Sequence, residues 1–247
     1  MTISILAETS DFLVINKPSG LVVHGDGKHP EPTVVDWILE HYPELEPVGE
    51  MMTIEHAGET ISIPRSGIVH RIDRDTSGCL VIAKNQEAFE NLKQQFKDHT
   101  IKKKYVAIIY GWLRDERGII DRPIGRSSSN IRAWSVGNSA RGEMREAITR
   151  FVVRKKFQLG SDHDAAKYEI VDLYPQTGRT HQLRVHLASL DHPIVGDPIY
   201  SGNRTTTLAI HRTALHAEKI TFQDREGNPV EVSAPIPDDM KSIIDKA

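Results

Sequence analysis

An α+β fold is predicted by three observations on this sequence. Short extended segments rich in β-branched and aromatic residues recur along the 247 residues, few helices cross over between them, and no Pro/Gly-rich linker divides the chain. The expectation is one domain spanning residues 1–247, a length that a single large domain can fill. Hydrophobic residues at 38% and charged residues at 26% suffice for a sizeable core under a soluble surface.

The elements follow in order. Phe12 to Ile15 reads as a short buried strand, closed by the turn signal Lys17-Pro18-Ser19-Gly20, after which Leu21-Val22-Val23 is extended again. Thr33 is placed to cap a short helix running to Tyr42. From Glu44 to Pro64 the chain is acidic and without a clear period, which predicts a loop or irregular hairpin inserted at 44–64. Asn85 precedes an amphipathic helix with Phe89, Leu92 and Phe96 at helical spacing, ending near His99. Lys104 to Gly111 reads as a strand, and extended segments follow around Glu146–Val153 and Tyr168–Tyr174. A helix from about Thr180 to Leu190 would bury Leu183, Leu187 and Leu190. Strands at Ile220–Gln223 and Val230–Ser233 and a terminal helix from Pro237 to Lys246 complete the chain.

Several function classes are set aside by composition. The opening MTISILAETSDFLVI lacks a basic, apolar leader, and no segment approaches the ~18 apolar residues of a membrane span, so a cytoplasmic protein without membrane contact is expected. Cys79 is the only cysteine and lies in the apolar run Cys79-Leu80-Val81-Ile82-Ala83, which suits a buried packing thiol. The net charge of -3 hides a strong asymmetry. Glu8 to Thr60 holds 11 acidic and 2 basic residues, a net of -9, whereas Lys93 to Gly160 holds 16 basic and 6 acidic, a net of +10. The basic stretch, with Lys102-Lys103-Lys104, Arg122, Arg126, Arg132, Arg141, Arg145 and Arg154-Lys155-Lys156, can form a track for a phosphate backbone or a solvated face.

Two polar clusters could carry chemistry. His70-Arg71-Ile72-Asp73-Arg74-Asp75-Thr76-Ser77-Gly78 runs directly into the apolar segment Cys79–Ala83, a placement common to active-site loops, although carboxylates interleaved with arginines also make structural ion-pair knots. His-Arg-x-Asp occurs in protein-kinase catalytic loops, but no Gly-rich phosphate loop, no Asp-Phe-Gly and no Asn at the required spacing accompany it. There is likewise no Walker-type loop or dinucleotide fingerprint, so no nucleotide cofactor is expected. The second cluster runs from Gln176 to His186. With Thr180 as cap, His181 and Arg184 would share a helix face at i, i+3, beside the apolar stripe rather than within it. His181, His186 and His192 lack the spacing of a metal site, and none is expected.

Taken together, three ordered segments resemble the RluA family of pseudouridine synthases: Asp11 to His24, His70 to Asn85, and Pro175 to Leu187. Lys104-Tyr105-Val106-Ala107 sits where that family places a tyrosine, and His192-Pro193-Ile194-Val195-Gly196-Asp197 extends the likeness. The resemblance implies the pseudouridine synthase fold, a mixed, mostly antiparallel sheet with helices and loops around a central catalytic cleft. It implies isomerisation of a uridine in RNA to pseudouridine, without metal or organic cofactor. Asp73 matches the family's nucleophilic aspartate, and a carboxylate suits the task because it can attack carbon and later leave. Tyr105 matches the tyrosine that stacks on the base and helps remove the C5 proton. Arg184 matches the arginine that pairs with the aspartate and favours its ionised form. The uridine must leave its stack to react, and Arg71 matches a residue that fills the gap. Substrate contacts are expected from His70, Arg71 and Arg74 around Asp73, from Lys104 beside Tyr105, and from Arg179, His181 and Leu183 around Arg184.

Two departures qualify the likeness. The first motif begins near Asp11, so the S4-like RNA-binding domain that many relatives carry is not expected here, and the basic stretch is expected to supply more of the grip on RNA. The acidic segment at 44–64 is also longer than the family's usual connection. The expected partner is a stem-loop of ribosomal RNA, foremost of the large subunit, or of transfer RNA, bound by a monomer; a catalytically silent RNA-binding or RNA-folding protein is the alternative that retains the scaffold.

Overall fold

The structure, a computed structural model, describes residues 3–25, 31–56, 59–160 and 165–247. Their contacts form two compact units, Met1–Ile101 with Lys219–Ala234, and Lys102–Glu218 with Pro235–Ala247.

The first unit contains, in chain order, β1 (Ser4–Glu8), β2 (Phe12–Lys17), α1 (Val34–His41), β3 (Met51–His56), β4 (Glu59–Pro64), β5 (Ser77–Ala83) and α2 (Gln86–Lys97). β2 pairs antiparallel with β1 on one side and with β5 on the other, in a register running from Phe12↔Ala83 to Lys17↔Gly78. All seven residues of β5 are buried, so it reads as a continuous apolar run rather than an alternating one. Helix α1 begins on a reciprocal cap: Thr33 Oγ1 accepts from the Asp36 N–H while the Asp36 carboxylate accepts from the Thr33 N–H. Asn85 likewise caps α2 by accepting from the Ala88 N–H, and Phe89 and Leu92 bury the face its periodicity predicted. The acidic segment, expected as a loop or irregular hairpin, instead folds as a 3₁₀ turn at Pro43–Leu45 followed by the β3–β4 antiparallel hairpin, whose register runs unshifted from Met51↔Pro64 to His56↔Glu59. Gly67 takes φ +78 beside β5, where a Cβ would meet the Ala83 carbonyl at 2.1 Å.

The second unit contains β6 (Lys102–Tyr110), β7 (Arg117–Asp121), β8 (Ile124–Ser127), β9 (Trp134–Val136), β10 (Ala140–Arg145), β11 (Ile148–Leu159), β12 (Ala166–Pro175) and α3 (Gln182–Ser189). β6, β12, β11 and β7 lie side by side in antiparallel pairs, and β8 sits between β10 and β9 in a separate small sheet. Strands β7 to β10 escape a pattern reading because most span only three to five residues, too few to display a period. Strand β13 (Leu215–Gln223) starts in the second unit and ends in the first, where it pairs with β14 (Pro229–Ser233); α4 (Asp238–Lys246) closes the second. Among the described residues no helix is long and apolar enough to cross a membrane.

One element differs from expectation. Thr180 does not cap α3; the N-cap is His181, at φ +57, with no side-chain cap bond. Gln182 does the work instead. Its Oε1 accepts from the Arg179 N–H and the Thr177 hydroxyl, and its Nε2 donates to the Ile148 carbonyl and the Thr149 hydroxyl on β11. Docking against β11 therefore decides where the helix begins. As a result Gln182 through Leu187 are all buried, so Arg184 is enclosed within the packed helix and not set at the edge of an apolar stripe.

Candidate active site

Asp73 lies in the first unit, in a tight turn between the buried Ile72 and Thr76, closed by the Thr76 N–H donating to the Asp73 carbonyl. The Lys17-Pro18-Ser19-Gly20 turn at the end of β2 clasps it. The Arg74 carbonyl accepts from the Gly20 N–H at 2.9 Å and from Lys17 Nζ at 2.9 Å, and the Ser19 hydroxyl donates to the Asp75 carbonyl at 2.8 Å. Lys17 is 0% exposed, and its ammonium also donates to the Pro18 and Leu21 carbonyls. An ammonium so buried survives only with its donors satisfied, and here they are satisfied by the two turns it joins. The first and second motifs are thus one physical object: the lysine of the first fixes the backbone from which the aspartate of the second projects.

The neighbours of Asp73 divide into anchors and exposed cations. His70 accepts the Val81 N–H at Nε2, which places its own proton on Nδ1, and its ring stacks on Phe96 at 4.5 Å between centroids. Arg74 spans from the Gly20 carbonyl to Glu31. Arg71 is exposed. His24, the last residue of the first motif, is held neutral; burial first, then the Arg71 and Arg65 charges, push it down to about 4.

In the second unit Tyr105 stands on β6 opposite Leu173 of β12. Strand alternation puts Lys103 on the face of Tyr105 and Lys104 on the other. Lys104 consequently enters an ion-pair network in which its Nζ lies 3.4 Å from Asp172 and 3.1 Å from Glu218, and Arg154 bonds the same two carboxylates. Burial would raise Glu218, but Lys104 and Arg154 outweigh it and hold the carboxyl below its ordinary range. Lys103 has no such company. Its Nζ donates to the Thr177 carbonyl at 3.5 Å, and burial lowers the ammonium to about 8.

Arg184 is 6% exposed and grips Asp197 with both arms of its fork, Nε to Oδ2 at 2.6 Å and Nη2 to Oδ1 at 2.9 Å. Asp197 is itself fully buried, and its Oδ1 also accepts the N–H groups of Ile199 and Tyr200. Gly196 makes this corner possible: at φ +72 it passes so close to Arg212 that a Cβ would lie 2.2 Å from the carbonyl oxygen. The guanidinium carbon sits 5.1 Å from the Tyr200 ring centre, and the Tyr200 hydroxyl is 2.9 Å from His181 Nδ1 and accepts the Trp134 N–H. Leu183 is buried in the core, and the Arg179 Nε donates to the Glu146 carbonyl at the surface.

Three of the residues that matter here were not singled out as site residues in the sequence. Asp197 lay inside a recognised segment, yet nothing in its spacing ties it to Arg184. Tyr200 gives no local signal at all. Lys103 was legible in principle, since counting back by two from Tyr105 selects it over Lys104. The basic stretch, moreover, is partly consumed: Lys104 and Arg154 serve the network above, Lys156 approaches the buried Glu169, and Arg122 donates to the Ser189 carbonyl. Arg126, resting on the Trp134 ring at 4.6 Å, Arg132 and Arg141 are exposed. His181, His186 and His192 bond to Tyr200, to Thr149 with the Arg122 carbonyl, and to the Tyr110 carbonyl respectively; among the described residues no group of three or more metal-ligating side chains converges.

Comparison with known proteins bears on the same residues. Positions 11–189 match the family described as RNA pseudouridylate synthase, a span that includes Asp73, Tyr105 and Arg184 and stops short of Asp197. The uncharacterised RNA pseudouridine synthase YlyB of Bacillus subtilis is 36% identical over 246 residues, covering 99% of this chain and 73% of its own. The ribosomal large subunit pseudouridine synthase D of Xanthomonas campestris is 35% identical over 254 residues, 98% of this chain and 68% of its own. Among solved structures, human RNA Pseudouridylate Synthase Domain Containing 1 superposes with a TM-score of 0.72 at 28% identity, covering 95% of this chain and 83% of its own.

Proposed function

The chain belongs to the RNA pseudouridylate synthase family, and from that premise we propose that it isomerises a uridine in large-subunit ribosomal RNA, with Asp73 as nucleophile. It is an RNA-modifying isomerase. The reaction detaches uracil at N1, turns it, and rejoins it to ribose through C5, so that the C5 proton leaves and N1 gains one. Attack by the Asp73 carboxylate divides that exchange into two smaller barriers. The reading rests chiefly on the clasped turn: Lys17, Ser19 and Gly20 hold Arg74 and Asp75 by their carbonyls, which fixes the backbone immediately after the aspartate.

The other roles follow from chemistry. A base reacting at two of its own atoms has to leave the stack, and the exposed guanidinium of Arg71 can stack and donate in the gap it leaves. Tyr105 supplies a ring for the flipped uracil and a phenol oxygen for the C5 proton. Arg184, rigidly held by Asp197, is the cation of the reaction. The choice of RNA is supported by the relatives named for the large ribosomal subunit.

Asp73→Asn should abolish release of tritium from RNA labelled at uridine C5 while RNA binding persists; full activity in that variant removes Asp73 from the mechanism. Mapping pseudouridines across total RNA from cells with and without the protein tests the target. The missing position should fall in large-subunit ribosomal RNA, and a transfer RNA position would overturn that assignment. Release of free uracil in place of pseudouridine would identify a hydrolase.

A further inference from the structure

The geometry of β6 points to a phosphate-binding residue beside the base site: we propose that Lys103 holds a backbone phosphate of the RNA strand whose uridine Tyr105 engages. The inference rests on the role given to Tyr105 above. Residues two apart on a strand share a face at a separation of about 6.8 Å, so Lys103 and Tyr105 address the same side of β6 while Lys104 faces away. A base and the phosphate of its own or the adjoining nucleotide are separated on that scale.

The surroundings of Lys103 indicate what it takes. Its neighbour Lys104 is committed to Asp172 and Glu218, and Lys102 stands exposed at the start of the strand. Among the described residues, the acceptor of Lys103 is the Thr177 carbonyl, at the long limit of a hydrogen bond, and no carboxylate lies within ion-pair distance of it. Burial without compensation is reflected in its depressed basicity, about 8. A half-buried cation kept without an anionic partner is less favourable in the free protein than with one, and gains when an anion arrives. The adjoining segment suits such an arrival: Gly178 presents no side chain, and even a Cβ there would come no nearer than 3.7 Å to the Lys103 ammonium. In RNA the anion repeated along the strand is the phosphodiester.

The test uses the full chain and an RNA stem-loop containing the mapped uridine. Lys103→Met should weaken binding about tenfold, as loss of one charge-assisted contact does, and should lower the slope of log K against log salt by about 0.7–0.9. Lys103→Arg should restore most of both. A stem-loop in which single phosphates flanking the uridine are replaced by neutral methylphosphonates should lose affinity for the wild type at one position, and Lys103→Met should be indifferent to that replacement. Unchanged affinity and slope in Lys103→Met overturns the proposal, as does a methylphosphonate penalty equal in both proteins. Should Lys103→Met fail to fold, the methylphosphonate series with wild type and Lys103→Arg decides, and absence of any sensitive phosphate refutes it. Failure of the functional reading shows differently, as a wild-type protein that forms no pseudouridine.

Discussion

Asp197→Asn isolates one interaction of the buried pair, because the two oxygens of Asp197 have different work. Oδ1 accepts the Ile199 and Tyr200 N–H groups as well as Arg184 Nη2, whereas Oδ2 accepts Arg184 Nε. An asparagine can keep its carbonyl at Oδ1 and preserve both backbone bonds. Its amide nitrogen then faces Arg184 Nε donor to donor, and a guanidinium that is 6% exposed loses the charge of that carboxylate. Breaking a buried pair in this way costs about 3–5 kcal/mol. At about 2–4 °C per kcal/mol for a chain of this size, the loss is on the order of 10 °C in melting temperature. Arg184→Met alone should cost less, because the carboxylate left behind retains two backbone donors. Combining Arg184→Met with Asp197→Asn removes the donor conflict and should recover at least 1 kcal/mol relative to additivity, a coupling of roughly the size measured between contacting groups. Urea denaturation of the four proteins closes the cycle. An Asp197→Asn protein within about 0.5 kcal/mol of the wild type, or a coupling of zero, would refute the assignment of Asp197 as the residue that holds Arg184.

Other consequences can be checked with the same material. Lys17→Met strands the Pro18 and Leu21 carbonyls and removes one of the two bonds to the Arg74 carbonyl, and should cost at least about 3 kcal/mol while lowering turnover, since the Asp73 turn loses the lysine of its clasp; equal turnover per folded molecule would show that the lysine matters for stability alone. Glu169 is 0% exposed, and burial, more than the nearby Lys156 can offset, raises its carboxyl above the ordinary range. The folded state therefore binds that proton more tightly than the unfolded one, and the contribution to stability is present below the ordinary carboxylate pKa and lost as pH rises through the raised value. Glu169→Gln should in consequence gain stability relative to the wild type as pH increases across that interval, measured by denaturation at pH 4 and 7; a difference independent of pH contradicts the burial argument.

Local signals were read correctly wherever the determining contacts are close in sequence. The Thr33 and Asn85 caps act on residues three positions ahead, and the Phe89–Leu92 stripe is a property of one helix, so both helices were legible before any folding. The ordered motifs around Asp73, Tyr105 and Arg184 were enough to indicate the family, because their carboxylate, ring and guanidinium are recognised by residue type and order. The class of fold followed from the same extended segments. What the chain alone left open was decided across distance. The start of α3 depends on Gln182 reaching Ile148 and Thr149, more than thirty positions away, which no cap rule applied to Thr180 can anticipate. Whether Lys103 or Lys104 accompanies Tyr105 depends on the face of β6, and whether a basic residue is available for RNA depends on carboxylates such as Asp172 and Glu218 that approach only after the strands have paired. The buried partner of Arg184 belongs to the same category. Residue type and order are carried by the sequence, but the pairing of charges is set by which strands and turns come together, because an ion pair is an interaction through space.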